Sequence, residues 1–174
     1  MITIVAGTNR KNSVSSRVAA LYHDLLSKKG YKASVIDLAE LPADFTVSAL
    51  YENSGKNDEF NPFREQISSS EKFVFIIPEY NGSFPGVLKA FIDGLEYPNS
   101  FRNKKCALVG ISSGVQGGGL ALSHMTDIFN YLGMHVLALK PKLARIESNF
   151  DGEEITDDLY NELLAEQAEQ LIQF

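Results

Sequence analysis

Five short apolar runs, each set off from the next by stretches of helical periodicity, constrain this chain more than any other feature of its sequence. An unbroken run of about five apolar residues is most simply buried as a strand covered on both faces, and the helical stretches supply the covering layers. Strands joined through helices pair in parallel, because a crossover returns the chain to the same end of the sheet. The pattern therefore predicts a three-layer, doubly wound α/β domain built on a five-stranded parallel sheet.

The runs are Ile2 to Ala6, Ala33 to Ile36, Phe73 to Ile77, Cys106 to Ile111 and Val136 to Leu139. The second is the shortest and most polar, as suits an edge strand, and the third is apolar throughout, as suits the sheet centre. Helical faces follow at Val18, Leu21, Tyr22, Leu25 and Leu26, at Val87, Leu88, Phe91, Ile92 and Leu95, and at Ala121, Met125, Ile128, Phe129 and Leu132. Gly30 and Gly133 are expected to stop the first and third of these. Thr156 is the expected N-cap of a last helix carrying Leu159, Leu163, Leu164, Leu171 and Ile172. Residues 43–61 are longer than an ordinary connection, so they are expected to be functional or mobile. The acidic stretch from Asp151 to Asp158 reads as a solvated turn into the last helix, with Asp157 and Asp158 favoured by its dipole.

A chain of 174 residues that is 44% hydrophobic buries one core without staples, so residues 1–174 are expected to form a single domain. The net charge of −6 and the lack of any basic cluster argue against nucleic acid or an acidic membrane as partner. No apolar run approaches the roughly 18 to 20 residues that span a bilayer. The lone cysteine, Cys106, lies within a strand run and suits a reducing compartment, so a cytoplasmic protein is expected.

In an open parallel sheet, ligands bind outside the carboxyl ends of the strands. Three loops there are polar. The first, Gly7 to Ser16, brings hydroxyls, Arg10 and a helix start together, which suits a terminal phosphate; it is neither a Walker loop nor a dinucleotide-binding glycine turn. The alternative is that Ser13 or Ser15 merely caps the helix. The second, Pro78 to Gly86, has prolines that restrict its backbone and an aromatic surface at Tyr80, suiting a planar, hydrogen-bonding ring. Its alternative is an ordinary turn with a helix cap at Ser83. The third, Ser112 to Gly119, spends four glycines on one loop, which suits close backbone approach to something flat, or else a flexible linker.

These three segments, in this order, resemble the NADPH-dependent FMN reductase family, which has azoreductase-like, quinone-reducing and chromate-reducing members. The first loop is similar to the family's G-S-x-R-x-x-S pattern, with Thr8 and Ser13 at the hydroxyls and Arg10 at the arginine. Pro78 to Lys89 matches P-E-Y-N-x-S-x-P-G-x-L-K in full, and Ser112, Gly114, Gly117 and Gly118 meet S-x-G-x-x-G-G. Ser15 stands where many members have asparagine, Gly82 replaces a larger residue, and Gln116 replaces an arginine or aromatic. Residues 43–61 fall outside the likeness.

The resemblance implies a flavodoxin-like fold with strand order 2-1-3-4-5, FMN as cofactor and NADPH or NADH as co-substrate. It implies that Thr8, Arg10, Ser13, Ser15 and Ser16 hold the phosphate. The flavin ring would lie between Pro78, Glu79, Tyr80, Asn81 and Ser83 on one side and Ser112, Gly114, Gln116, Gly117 and Gly118 on the other. Hydride would pass from nicotinamide to flavin and on to a small-molecule acceptor: a quinone, an azo compound, free flavin or a metal oxyanion. Because the cofactor carries the chemistry, no side-chain acid or base is assigned, although Glu79 and Tyr80 are the alternatives. Relatives imply a homodimer or homotetramer with the flavin near a subunit interface, and Phe45, Tyr51 and Phe60 either roof the flavin or pin their own loop. His23, His124 and His135 lack metal-ligand spacing and read as structural or surface residues, with approach to the ligand the alternative for His124, just after the third loop.

A phosphate-accepting receiver domain shares the doubly wound order and a lysine after the fifth strand, where Lys140 sits. It needs an acidic pair after strand one and an aspartate after strand three, and those positions are Gly7, Thr8 and Pro78. An electron-carrying flavodoxin or a flavin-binding regulator without turnover is permitted by the same loops.

Overall fold

The computed structural model describes residues 1–174. Strand β1 (Ile2–Ala6) lies between β2 (Ala33–Asp37) and β3 (Lys72–Pro78), and β3 pairs in turn with β4 (Lys105–Ile111), all in parallel. The order β2-β1-β3-β4-β5, with β5 at His135–Val136, is that of a flavodoxin-like doubly wound sheet, with β3 at its centre and β2 at one edge. Helix α1 (Val14–Lys28) follows β1; α2 (Phe45–Ser48) and α3 (Asn61–Ser69) follow β2; α4 (Gly86–Asp93), α5 (Gly119–Tyr131) and α6 (Asp158–Gln173) complete the layers.

Strand alternation divides the core in two. Val5, Phe73, Phe75, Ile77, Cys106 and Leu108 face α4 and α5, whereas Ile4, Ala6, Val74, Ile76, Ala107 and Val109 face α1 and α6. Burial on both sides is why these strands carry no polar alternation. Cys106 is fully buried, and desolvation pushes its thiol up to about 12, opposed in part by Lys140.

Residues 43–61 are pinned rather than loose. The rings of Phe45 and Phe60 stack 5.6 Å apart, and Phe60 meets Phe91 edge-on at 5.9 Å. A Cβ on Gly94 would come within 2.8 Å of the Phe60 ring, so the glycine makes room for it. Tyr51, by contrast, is 78% exposed. The short α2 and the nine-residue α3 were not legible in apolar spacing because α3 has a single fully buried residue, Ile67.

The fifth strand departs from the expected Val136 to Leu139. It is split into β5 (His135–Val136), paired with Lys105 and Cys106, and β6 (Lys142–Leu143), paired with Gly110 and Ile111. Pro141 lacks the N–H a continuous strand would donate, and it restricts the residue before it, so the chain leaves the sheet and returns. The gap is filled from the opposite layer. Gln167 of α6, 0% exposed, donates through Nε2 to the carbonyls of Leu108 (2.9 Å) and Leu139 (2.8 Å), and its Oε1 accepts from the buried Tyr22 hydroxyl (3.2 Å).

Gly30 and Gly133, at φ +81° and +80°, sit just beyond α1 and α5 as expected. The N-cap of α6 is Asp157 rather than Thr156: its carboxylate accepts from the Tyr160 N–H at 3.0 Å, while the Thr156 N–H is already given to Asn149. At the amino ends of the strands, Lys72 donates to the carbonyls of Leu171 and Ile172, and Lys104 to those of Ile67 and Ser68. These ammonium groups satisfy the last carbonyls of α6 and α3.

Candidate functional site

At the carboxyl ends of β1, β3 and β4 lies a cleft of about 300 Å³. Of the residues expected to bind a ligand, Thr8, Arg10, Ser13, Ser15, Pro78, Glu79, Tyr80 and Ser112 line it. Ser16, Asn81, Ser83, Gly114, Gln116, Gly117 and Gly118 do not.

The first loop divides its hydroxyls between two tasks. Ser13 caps α1, its Oγ accepting from the Ser16 N–H at 3.1 Å, and Ser16 returns its own hydroxyl to the Ser13 carbonyl at 2.9 Å. Those two serines shape the turn. Ser15 is 1% exposed, lines the cleft, and its hydroxyl has no partner in the protein. The N–H groups of Val14 and Ser15, at the start of the helix, likewise have no acceptor. Arg10 is exposed at the cleft and enters no ion pair. An orphan hydroxyl, two free amides, a helix dipole and a free guanidinium together make a donor set for an anion of phosphate type.

The second loop is a tight turn. Tyr80 and Ser83 exchange backbone hydrogen bonds of 2.8 and 3.0 Å, with Asn81 at φ +51° and Gly82 at φ +76° between them. Two successive positive φ values need the Asn-Gly pair found there. The Tyr80 hydroxyl shares a 2.7 Å hydrogen bond with the buried Thr8 hydroxyl, which also accepts from the Arg10 N–H at 3.3 Å. Ser83 does not cap α4, whose N-cap position is Pro85; its hydroxyl instead meets Nδ1 of His124 on α5 at 2.9 Å.

In the third loop, Gly117 and Gly118 face the protein's own backbone. A Cβ on Gly117 (φ +57°) would lie 2.7 Å from the Lys142 backbone, and one on Gly118 (φ +78°) 3.2 Å from the Ile111 nitrogen. These two let the loop lie flat on the ends of β4 and β6. Only Gly114 has open space where a Cβ would stand and an ordinary φ. Gly117→Ala is accordingly expected to destabilise the fold by about 1 to 3 kcal/mol in chemical denaturation, through strained φ and contact with Lys142. Gly114→Ala is expected to leave stability within about 0.5 kcal/mol.

A fourth segment, which sequence reading missed, closes the cleft. Ile146 and Glu147 line it, in a turn after β6 that is tied to the third loop by the Arg145 N–H on the Gly114 carbonyl (2.9 Å) and the Ile146 N–H on the Ser112 carbonyl (3.1 Å). Its one sequence signal is Pro141, which ends the strand early. Phe45, Tyr51 and Phe60 do not line the cleft. A larger groove, about 590 Å³, runs between α4 and α5 past Ile92, Tyr97, Ile128 and Tyr131. It lacks the convergent hydroxyls and free amides of the cleft.

The donor set fits the phosphate of FMN: the Ser15 hydroxyl, unpaired within the protein and open to the cleft, is a group a phosphate oxygen would engage, and Arg10 would supply the countercharge.

The family model described as NADPH-dependent FMN reductase matches residues 1–141. An NAD(P)H-dependent FMN reductase of Pseudomonas aeruginosa is 31% identical, covering 96% of this chain and 90% of that protein. A 2-hydroxy-1,4-benzoquinone reductase of Burkholderia sp is 29% identical, covering 85% of this chain and 82% of that protein. Among solved structures, the flavoenzyme NAD(P)H:(acceptor) oxidoreductase FerB of Paracoccus denitrificans superposes with a TM-score of 0.76 at 22% identity, over 99% of this chain and 94% of that one.

Proposed function

We infer, from the premise that this chain belongs to the NADPH-dependent FMN reductase family, that it is an oxidoreductase that reduces a small quinone-type acceptor with NAD(P)H through FMN held in this cleft. The observation that carries the reading is the cradle at the start of α1, where the Ser15 hydroxyl faces the cleft unpaired and the Val14 and Ser15 amides have no acceptor. Bound there, FMN would supply the two-electron redox chemistry between nicotinamide and acceptor.

The chain's own residues bind and orient. Ser15, the two amides and Arg10 hold the phosphate, anchoring the cofactor at the end remote from its ring. Thr8 fixes Tyr80 by their shared hydrogen bond, so the wall between the phosphate end and the ring end is set before ligand arrives. Fixed walls of this kind would hold a bound flavin and its reaction partner without first having to be ordered. A quinone is favoured among acceptors by the 29% identical relative, a benzoquinone reductase by name, whereas the 31% identical relative is named for FMN reduction.

The test is to load the purified protein with FMN and follow NADPH and NADH oxidation with a benzoquinone, an azo dye, chromate or free flavin as acceptor. The reading expects FMN-dependent turnover that is fastest with the quinone. Tight FMN binding without turnover by any acceptor would overturn it in favour of an electron carrier or flavin-binding regulator.

A further inference from the structure

We propose that His124, outside the cleft lining, is a positioning residue for flavin binding: it holds the second loop through Ser83. The proposal rests on FMN occupying the cleft, as read above. The turn from Tyr80 to Ser83 carries two left-handed residues and is exposed or half-buried along its length. Such a turn has little packing of its own to fix its position.

Its side chains tie it to the body of the protein in two places. One tie is the Tyr80 hydroxyl on Thr8, at 2.7 Å, which reaches the first loop. The other is the Ser83 hydroxyl on Nδ1 of His124, at 2.9 Å, which reaches α5. Between them, the reciprocal backbone bonds of Tyr80 and Ser83 make the turn a rigid bar. Released from His124, the Ser83 end of the turn keeps only the packing of Phe84 beside it, while the Glu79 N–H on the Ile111 carbonyl (2.8 Å) and Thr8 hold the other end, so Tyr80, which lines the cleft, is less strictly positioned. The lost order must then be restored on binding, which weakens affinity without removing a contact to the ligand. His124 is exposed and its imidazole bonds no other residue than Ser83, so the role is separable from folding.

The experiment measures the dissociation constant of FMN by quenching of flavin fluorescence, alongside thermal melting of the apoprotein. His124→Ala and Ser83→Ala are each expected to weaken FMN roughly 3- to 10-fold, the loss of one hydrogen bond. The double variant is expected to be no weaker than either single one, because both remove the same tie. His124→Gln, whose amide can meet the Ser83 hydroxyl, is expected to recover most of the affinity, and all four are expected to melt close to the wild type. Wild-type affinity in His124→Ala, additive losses in the double variant, or no recovery with Gln would each overturn the proposal while leaving FMN binding intact. Failure of the wild type itself to bind FMN would overturn the functional reading, and this inference with it.

Discussion

Gln167→Ala is expected to destabilise the protein by about 3 to 5 kcal/mol, the largest effect foreseen for a single side chain outside the apolar core. Gln167 is a buried polar residue on a helix, yet it is well satisfied: two carbonyls accept from its amide N–H groups and one tyrosine hydroxyl donates to its oxygen. Truncation leaves the buried Leu108 carbonyl and Tyr22 hydroxyl and the half-buried Leu139 carbonyl without partners, at about 1 to 3 kcal/mol for each buried group left unsatisfied, eased where a water enters the space vacated. Gln167→Leu keeps the volume but not the bonds, so it is expected to be nearly as harmful. Gln173→Ala, on the exposed end of the same helix, is expected to fall within about 0.5 kcal/mol of wild type. Urea unfolding of the three variants checks this. A loss below about 1 kcal/mol in Gln167→Ala would mean that the gap between β5 and β6 hydrates freely and that the glutamine is incidental.

For ligand binding, the largest expected effect is at Arg10. Arg10→Ala is expected to weaken FMN by roughly 10- to 150-fold, equivalent to about 1.5 to 3 kcal/mol, the range for a hydrogen bond to a charged group. The guanidinium is exposed and enters no ion pair, so it forfeits nothing in the protein when it turns to a phosphate. Riboflavin, which lacks the phosphate, is expected to bind the variant and the wild type alike, and the salt dependence of FMN binding is expected to flatten in the variant. Titration of both flavins at two ionic strengths decides it. Equal FMN affinity in the variant, or an equal loss for riboflavin, would remove Arg10 from the phosphate site.

These two residues also mark how far the sequence could be read. Arg10 was legible because a charged residue amid hydroxyls, just ahead of a helix, has a chemical purpose visible in one dimension. Gln167 was not legible: a glutamine between Glu166 and Ala168 reads as an ordinary helix-surface residue until the helix is laid over the split edge strand. The same holds for the third loop. Its glycines advertised close approach, but whether to a ligand or to the protein's own backbone depends on where Lys142 lies, and Gly117 meets Lys142. Ile146 and Glu147 entered the cleft without any motif, carried there by a turn whose bonds to the third loop span more than thirty positions of sequence.

The sequence by itself determined the layered α/β architecture, the central place of β3, the phosphate-type character of the first loop and the membership implied by Pro78 to Lys89. Each of these is written in local spacing or local chemistry, which the chain carries whether folded or not. Only the tertiary structure decided which serine caps the helix and which is left for the ligand, how the edge strand breaks and what fills the break, that Phe45 and Phe60 belong to the core, and that Ser83 reaches His124. Those outcomes depend on hydrogen-bond partners brought together from distant positions, and a buried polar group takes whichever partner the fold sets within reach.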